Sequence, residues 1–455
     1  MPNEKRPVIQ VNMGRMKTAA LLGLAMGLFL TATLAARGNG ASGSEPVDTV
    51  HSLARMASML PAQGLETAVR FFHQKSAQAA PKLDPASFID ASLEMLDLAA
   101  ITTGKAPGLE LEGGRHISFT LRPELQKEAE KVFQQYRPHE AAFVAIDPKT
   151  GEVLALAGYR DGKLAPHRAL QASGPAASVY KVITGAALVE AKGVSSAKEV
   201  CYHGGGSGVA KSHLFHDPDR DHTCHSLAEA MGRSANVVFA RLAFNLLTRN
   251  EMKAFAERFG FNQVLPFEWP VEVSRVDVPE NRVEFARMAA GFYHSTLSPF
   301  HGALLAAAVA NDGRMMRPGI VREITESDGT VSWERQPELY LEPIAPETAQ
   351  ALTEMMQRTV SEGTARKYFS RRTTGLKGVT VAGKTGSLSD TRDGVRLHYS
   401  WFVGFAPADD PKIAFASLVV NDPNWKVKGP VVARRVLDRF FEAPPQTPAR
   451  RTASR

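Results

Sequence analysis

The feature that most constrains this chain is where its strand-like runs fall. Ala141-Ala-Phe-Val-Ala-Ile146 and Glu152-Val-Leu-Ala-Leu-Ala157 are short apolar runs joined by Asp147-Pro-Lys-Thr-Gly151, in which Pro148 and Gly151 set turn dihedrals. Comparable runs return near the other end, at Val379–Ala382, Tyr399–Phe405 and Lys412–Val420. Between the two groups, from about Ala177 to Ala310, apolar residues recur at helical spacing. Isolated apolar strands have nowhere to bury their faces, so the two groups are expected to meet in one sheet. The pattern predicts an α+β domain in which N-terminal strands pair with C-terminal ones around a helical block. Ile117–Leu121 reads as a further strand, Pro123–Tyr136 as a helix with Pro in its first turn, and Pro430–Phe441 as the last helix.

The N-terminus carries an address. Lys5, Arg6, Arg15 and Lys17 precede an apolar run from Thr18 to Ala36 that is long enough to cross a bilayer. Basic residues before the run predict a cytoplasmic segment 1–17 and an exported remainder. The small residues Ala35 and Ala36 fit a cleaved signal peptide as well as an uncleaved anchor, so both stay open. Residues 37–46 read as a Gly/Ser-rich linker, 47–115 as a small helical region broken by Pro61 and Pro81, and 443–455 as a disordered Pro/Arg/Ser tail. Formal net charge is +7, from 54 basic and 47 acidic residues. There is no dense basic run with interleaved aromatics, so no nucleic-acid partner is expected. The only cysteines are Cys201 and Cys224. In an exported chain such a pair most often forms a disulfide. Free thiols and a metal site with the nearby His203, His213, His216, His222 and His225 are the alternatives, though no usual ligand spacing is present.

Three short motifs carry chemistry. Ser178-Val-Tyr-Lys181 follows Pro175-Ala176, which suits a helix start. Residues at i and i+3 share one helical face, so an amine is within reach of a hydroxyl. A serine becomes a nucleophile when something takes its proton, and a lysine with a lowered pKa can do so. Ser234-Ala235-Asn236 offers a hydroxyl for proton relay and an amide that both donates and accepts, although alone it reads equally well as a helix N-cap. Lys384-Thr385-Gly386-Ser387 lies on the strand pattern beginning at Val379. Lys384 supplies positive charge, Thr385 and Ser387 supply hydroxyls for a carboxylate, and Gly386 lets a ligand strand approach the backbone.

Together, in this order and context, the motifs resemble the signature of penicillin-binding proteins and class A β-lactamases. The likeness covers roughly residues 116–442 as a transpeptidase domain. It includes Asp147-Pro-Lys-Thr-Gly151, Ser298-Pro299, Ala306-Ala-Ala-Val-Ala-Asn-Asp-Gly313, Ser361-Glu-Gly-Thr-Ala365 and Trp401-Phe-Val-Gly-Phe405. The resemblance implies a mainly antiparallel sheet flanked by a helical block. It implies a D,D-transpeptidase that attacks D-Ala-D-Ala stem peptides of peptidoglycan through Ser178, with Lys181 as base and Ser234 relaying the proton. Asn236 would hold the donor peptide, and Lys384 would shape the field around Ser234. Thr385 and Ser387 would bind the substrate carboxylate, and the N–H groups of Ser178 and Ser387 would form the oxyanion hole. No metal or cofactor is implied. β-Lactams would be covalent inhibitors, and the domain would work in the periplasm, tethered to the inner membrane, where wall-synthesis proteins are further partners.

The stretch ahead of this domain shows no Glu-Asp-x-x-Phe glycosyltransferase signature. The Cys201–Cys224 insert is outside the family's general pattern and is expected to be a stapled surface loop. Ser389-Asp-Thr-Arg-Asp-Gly394 is expected to form a hairpin loop. Rival readings are a D,D-carboxypeptidase or serine β-lactamase of the same acylation chemistry, and a non-catalytic β-lactam sensor or scaffold.

Overall fold

The computed structural model describes residues 98–102, 108–111, 113–205, 208–370 and 375–442. The apolar run 18–36, the linker 37–46 and the tail 443–455 lie outside the described residues. Within them, no helix is long and apolar enough to cross a membrane.

Helix α1 (Pro123–Tyr136) leads into strands β1 (Glu140–Ile146), β2 (Val153–Arg160) and the short β3 (Lys163–Leu164). The helical block contains α2 (Lys181–Lys192), α3 (Leu227–Arg233), α4 (Asn236–Leu246), α5 (Arg282–Ala289), α6 (Pro299–Ala310) and α7 (Pro346–Ser361). Strands β4 (Ala382–Arg392), β5 (Val395–Ala406) and β6 (Ile413–Asn421) follow, then α8 (Gly429–Glu442). The six strands form one antiparallel sheet in the order β4-β5-β6-β1-β2-β3. The seam between the two ends of the chain is β6 against β1, with Ala416 opposite Val144. Sequence-distant strands therefore meet as the pattern predicts.

Side chains alternate across a strand, so each strand feeds two cores. Ala142, Val144, Leu156, Trp401, Val403, Ala416 and Leu418 face the helical block. Ala141, Phe143, Ala155, Phe402, Phe415 and Val419 face α1 and α8, where they meet Leu125, Val132, Phe133, Val432, Val436 and Leu437. Burial on both faces explains why the strands read as continuous apolar runs instead of alternating ones. Helix α6 is apolar all round because it lies wholly inside, between the sheet and the rest of the block. The expectation of one flanking block is thus completed by a second helical layer, α1 with α8.

Four expectations are corrected. Strand β4 starts at Ala382, not Val379. Thr380 is instead occupied with the turn after β5: its hydroxyl meets Asp409 at 2.8 Å and accepts from the N–H of Ala408 at 3.0 Å. Ser389 to Arg392 are not a loop, because they stay in the ladder opposite His398 to Val395. Only Asp393 and Gly394 turn, both at positive φ, as a two-residue hairpin requires. Pro175 does not begin a helix. Gly174–Pro175 is a two-residue strand paired with Leu297 and Thr296. Finally, the 47–115 region is not purely helical in its described part. It holds a short helix, Leu98–Thr102, and a strand, Gly108–Glu110, which pairs with His116–Phe119. That pair joins Val321–Thr325 and Val331–Glu334 in a separate four-stranded sheet, so the boundary at 115 cuts a hairpin.

Candidate active site

Ser178 lies in a 3-10 turn, Ala177–Tyr180, and α2 begins at Lys181. In a 3-10 turn residues i and i+3 eclipse one another, which stacks Lys181 on Ser178 more directly than an α-turn would. The turn is braced from behind. The buried Trp401 indole N–H donates to the Pro175 carbonyl at 2.9 Å. Ala177 has φ 48°, a left-handed conformation that a residue with a side chain adopts at a cost of about 1–2 kcal/mol. Gly291 packs onto this turn so closely that a Cβ there would stand 2.4 Å from the Ala177 carbonyl oxygen.

The Lys181 amine is fully buried and has three partners. These are Ser178 Oγ at 2.8 Å, Asn236 Oδ1 at 2.8 Å and the Ala290 carbonyl at 2.5 Å. Burial, and secondarily the nearby Lys384 ammonium, holds this amine well below the ordinary lysine range. A neutral amine has two N–H donors and one lone pair. Asn236 Oδ1 and the Ala290 carbonyl can only accept, so they take the two N–H groups. The lone pair is left facing the one partner that can donate, the Ser178 hydroxyl. The geometry therefore suits the base form of Lys181.

A second cluster stands beside the first. Lys384, also fully buried, donates to Ser234 Oγ at 3.0 Å and to the Thr385 carbonyl at 2.8 Å. Burial pushes this amine down to about 7. Ser234 caps the C-terminus of α3 at φ 57°, and Asn236 opens α4 two residues later. The N-cap alternative for Ser234 is thus replaced by a C-cap, and the tight α3–α4 turn carries one residue to each lysine. Thr385 is half-buried and Ser387 exposed on the edge strand β4. Gly386 also makes a close contact within the fold. A Cβ there would lie 3.3 Å from Val179 and 3.1 Å from Trp401, so the missing side chain lets β4 abut the nucleophile turn.

Two participants carried no sequence signal strong enough to single them out. The Ala290 carbonyl is backbone, and a backbone acceptor leaves no mark in residue type. Thr364 lies in the Glu-Gly-Thr-Ala segment, whose role the sequence left blank. Its hydroxyl is 2.6 Å from that of Thr385. Its N–H donates to the Gly232 carbonyl at 3.0 Å, where a Cβ on Gly363 would stand 2.1 Å from the same oxygen.

The Cys/His insert folds as a hairpin, Glu199–Tyr202 against Thr223–Ser226, with Cys201 opposite Cys224 and the two joined in a disulfide. The sulfurs are thus engaged with each other, and Glu199 beside them gains no thiolate partner for a metal. Two of the insert's histidines, His203 and His216, meet at Asp221, whose side chain is fully buried. His203 Nδ1 lies 2.6 Å and His216 Nδ1 2.9 Å from its carboxylate, and Arg241 Nη1 donates to it at 2.7 Å. The Arg241 guanidinium above all holds this carboxyl far below the usual carboxylate range.

The sequence profile of the penicillin binding protein transpeptidase domain matches residues 141–438. The peptidoglycan D,D-transpeptidase PbpA of Mycolicibacterium smegmatis is 27% identical over 357 residues, covering 71% of this chain and 70% of that protein. The penicillin G acyl-enzyme complex of penicillin-binding protein A from M. tuberculosis superimposes with a TM-score of 0.59 at 25% identity, covering 75% of this chain and 83% of that one. Penicillin-binding protein 2B of Streptococcus pneumoniae shares the fold at a TM-score of 0.61 and 18% identity, over 73% of this chain and 60% of that one. With the profile spanning most of the chain and the motif residues gathered around one buried lysine pair, the chain belongs to the penicillin-binding protein transpeptidase family.

Proposed function

We propose that this protein is a serine D,D-transpeptidase that cross-links peptidoglycan stem peptides. The observation that carries the reading is the buried Lys181 amine, 2.8 Å from Ser178 Oγ, with Asn236 Oδ1 and the Ala290 carbonyl there to accept its N–H groups. In the proposed reaction, Lys181 accepts the Ser178 proton as Oγ attacks the penultimate D-alanine carbonyl. A tetrahedral oxyanion forms, held by the N–H groups of Ser178 and Ser387. The proton then passes by way of Ser234 to the departing D-alanine nitrogen, and the C–N bond breaks to leave an acyl-enzyme. An acceptor amine attacks this ester and gives up one proton, the C–O bond to Ser178 breaks as the new amide forms, and Lys181 passes a proton back to Ser178 Oγ. Asn236 orients both the Lys181 amine and the donor peptide. Lys384 shapes the field around Ser234, Thr385 and Ser387 receive the terminal carboxylate, and Gly386 keeps β4 against the nucleophile.

The family works outside the cytoplasm in general, and we place this chain there, held at the inner membrane by residues 18–36. β-Lactams are expected to acylate Ser178, as penicillin G does in the M. tuberculosis relative.

The test is labelling with a fluorescent penicillin. One covalent label is expected on the wild type and none on Ser178→Ala; a label that survives the substitution removes Ser178 from its role. The lifetime of the labelled enzyme separates the rivals. Minutes to hours fits the transpeptidase, whereas rapid turnover would make the protein a β-lactamase. Release of D-alanine without a cross-linked product would make it a carboxypeptidase.

A further inference from the structure

Lys181 takes its two obligate acceptors from elements distant in sequence. Asn236 opens α4, and Ala290 follows α5. The insert closed by Cys201 and Cys224 grips both. From α4, Arg241 donates to the Cys201 carbonyl at 2.7 Å, to the His213 carbonyl at 2.8 and 3.0 Å, and to Asp221 at 2.7 and 3.3 Å. From α5, Arg287 donates to the Val209 carbonyl at 2.8 Å. Gly205 presses on α4 as well, since a Cβ there would come within 2.4 Å of Val237 Cγ2. Arg241 holds α4 through a planar guanidinium on the buried Asp221 carboxylate, a geometry that tolerates little displacement, and Arg287, which also pairs with Glu284 of its own helix at 2.6 Å, ties α5 to the insert through the Val209 carbonyl. The disulfide closes the insert across a separation of 23 residues and limits how far it can relax.

We propose that the disulfide-closed insert is a clamp that holds the acceptors of the Lys181 amine in place, with Arg241 and Arg287 as its positioning residues. This rests on Ser178 and Lys181 forming the acylation pair. Loosening the clamp lets Asn236 and Ala290 drift and admits water to the amine. Lys181 then moves back toward the ordinary lysine range, and acylation needs a higher pH. The ionisable group facing Lys181 is Lys384; those facing Arg241 are Asp221, His203, His216 and His213. The group facing Arg287 is Glu284, with His294 beside it. The double variant Cys201→Ala/Cys224→Ala leaves all of these in place, and Arg287→Ala removes only the partner of Glu284.

The experiment compares the full chain with Arg241→Ala, Arg241→Lys, Arg287→Ala and the double cysteine variant. Arg435→Ala serves as the control, because it breaks the Arg435–Glu128 pair between α8 and α1 without touching the insert. Two readouts are taken: the second-order rate of penicillin acylation across pH, and hydrogen exchange over Asn236–Arg241 and Arg287–Gly291. The clamp variants are expected to lose acylation by up to about 100-fold, as small misplacements of catalytic groups do. Their acid limb should move to higher pH, exchange should quicken in both segments, and Arg241→Lys should recover part of the rate. The control should leave the limb where it is. If Arg241→Ala does not fold, the Arg287 and cysteine variants decide. An unmoved limb with unchanged exchange in those two overturns the proposal. Absence of any Ser178 label on the wild type would strike the transpeptidase reading instead, and exchange would still decide the clamp.

Discussion

The hydroxyls of Thr364 and Thr385 lie 2.6 Å apart, joining the turn after α7 to the edge strand that carries the Lys-Thr-Gly-Ser motif. The same turn is held to α3 through Gly232, two residues ahead of Ser234. Thr364 therefore ties the second and third motifs together and fixes the rotamer of a hydroxyl proposed to meet the substrate carboxylate. One such hydrogen bond contributes about 1 kcal/mol net. Thr364→Val should slow penicillin acylation by roughly five- to tenfold, mainly through weaker binding before acylation, and Thr364→Ser should restore it. Stopped-flow acylation at varied penicillin concentration separates the two contributions; an unchanged binding constant would remove this role.

The lysine pair makes a prediction in pH. Acylation needs neutral Lys181, so its rate should rise as pH climbs through the lowered Lys181 pKa. The Lys384 charge is one cause of that lowering. Lys384→Met should leave only residual acylation, and its acid limb should stand at higher pH than in the wild type. A pH–rate profile of labelling checks this, and a limb moving the other way would contradict the coupling.

The same substitution should act on stability in the opposite sense. Folding moves Lys384 from an ordinary lysine value down to about 7. Between about pH 7 and 10.5 the unfolded chain binds the extra proton, so wild-type stability gained from relief of this group rises with pH there. Below about 7 both states are protonated and the full burial penalty applies, bounded by about 5 kcal/mol. Lys384→Met should therefore be more stable than wild type at pH 6, with the advantage shrinking toward pH 10. Denaturant melts at the two pH values measure the difference, and an advantage that grows with pH would refute it.

Gly291→Ala tests the fit behind the nucleophile. Gly291 has φ 90°, and a Cβ there would stand 2.4 Å from the Ala177 carbonyl oxygen. Backbone strain of this kind costs about 1–3 kcal/mol, and relief requires the Ser178 turn to move. The variant should lose stability in a thermal melt and lose labelling by a larger factor than its folded fraction explains.

Trp401→Phe probes the brace from the sheet. The substitution keeps most of the buried ring but removes the N–H that satisfies the Pro175 carbonyl. A loss of about 1–3 kcal/mol is expected for the orphaned acceptor. Equilibrium unfolding gives the value, and a neutral substitution would show that the bond does not anchor the turn.

Much of the architecture was written in local pattern. Apolar runs at the two ends announced β1, β2, β5 and β6, whereas their burial on both faces, by the helical block and by α1 with α8, came only from the structure. Pro123 and the helical periodicity behind it marked α1 to the residue. The misplacements fell where local signals competed. Val379 and Thr380 have strand composition, but the side chain of Thr380 is spent on the neighbouring turn. Ser389 to Arg392 are polar because they extend beyond the core, and the true turn was marked by the Asp393-Gly394 pair inside that stretch.

The sequence by itself determined which groups could react: a hydroxyl three residues from an amine on one helical face, a Ser-x-Asn triplet, and a lysine on a strand pattern. Those follow from residue type and short spacing, which are local properties. Only the tertiary structure decided that Lys181 is dry, that its N–H groups are taken by Asn236 and the Ala290 carbonyl, and that Thr364 and the disulfide-closed insert reach the site. Burial depends on what packs around a group, and backbone acceptors have no residue identity, so neither can be read until distant segments have met.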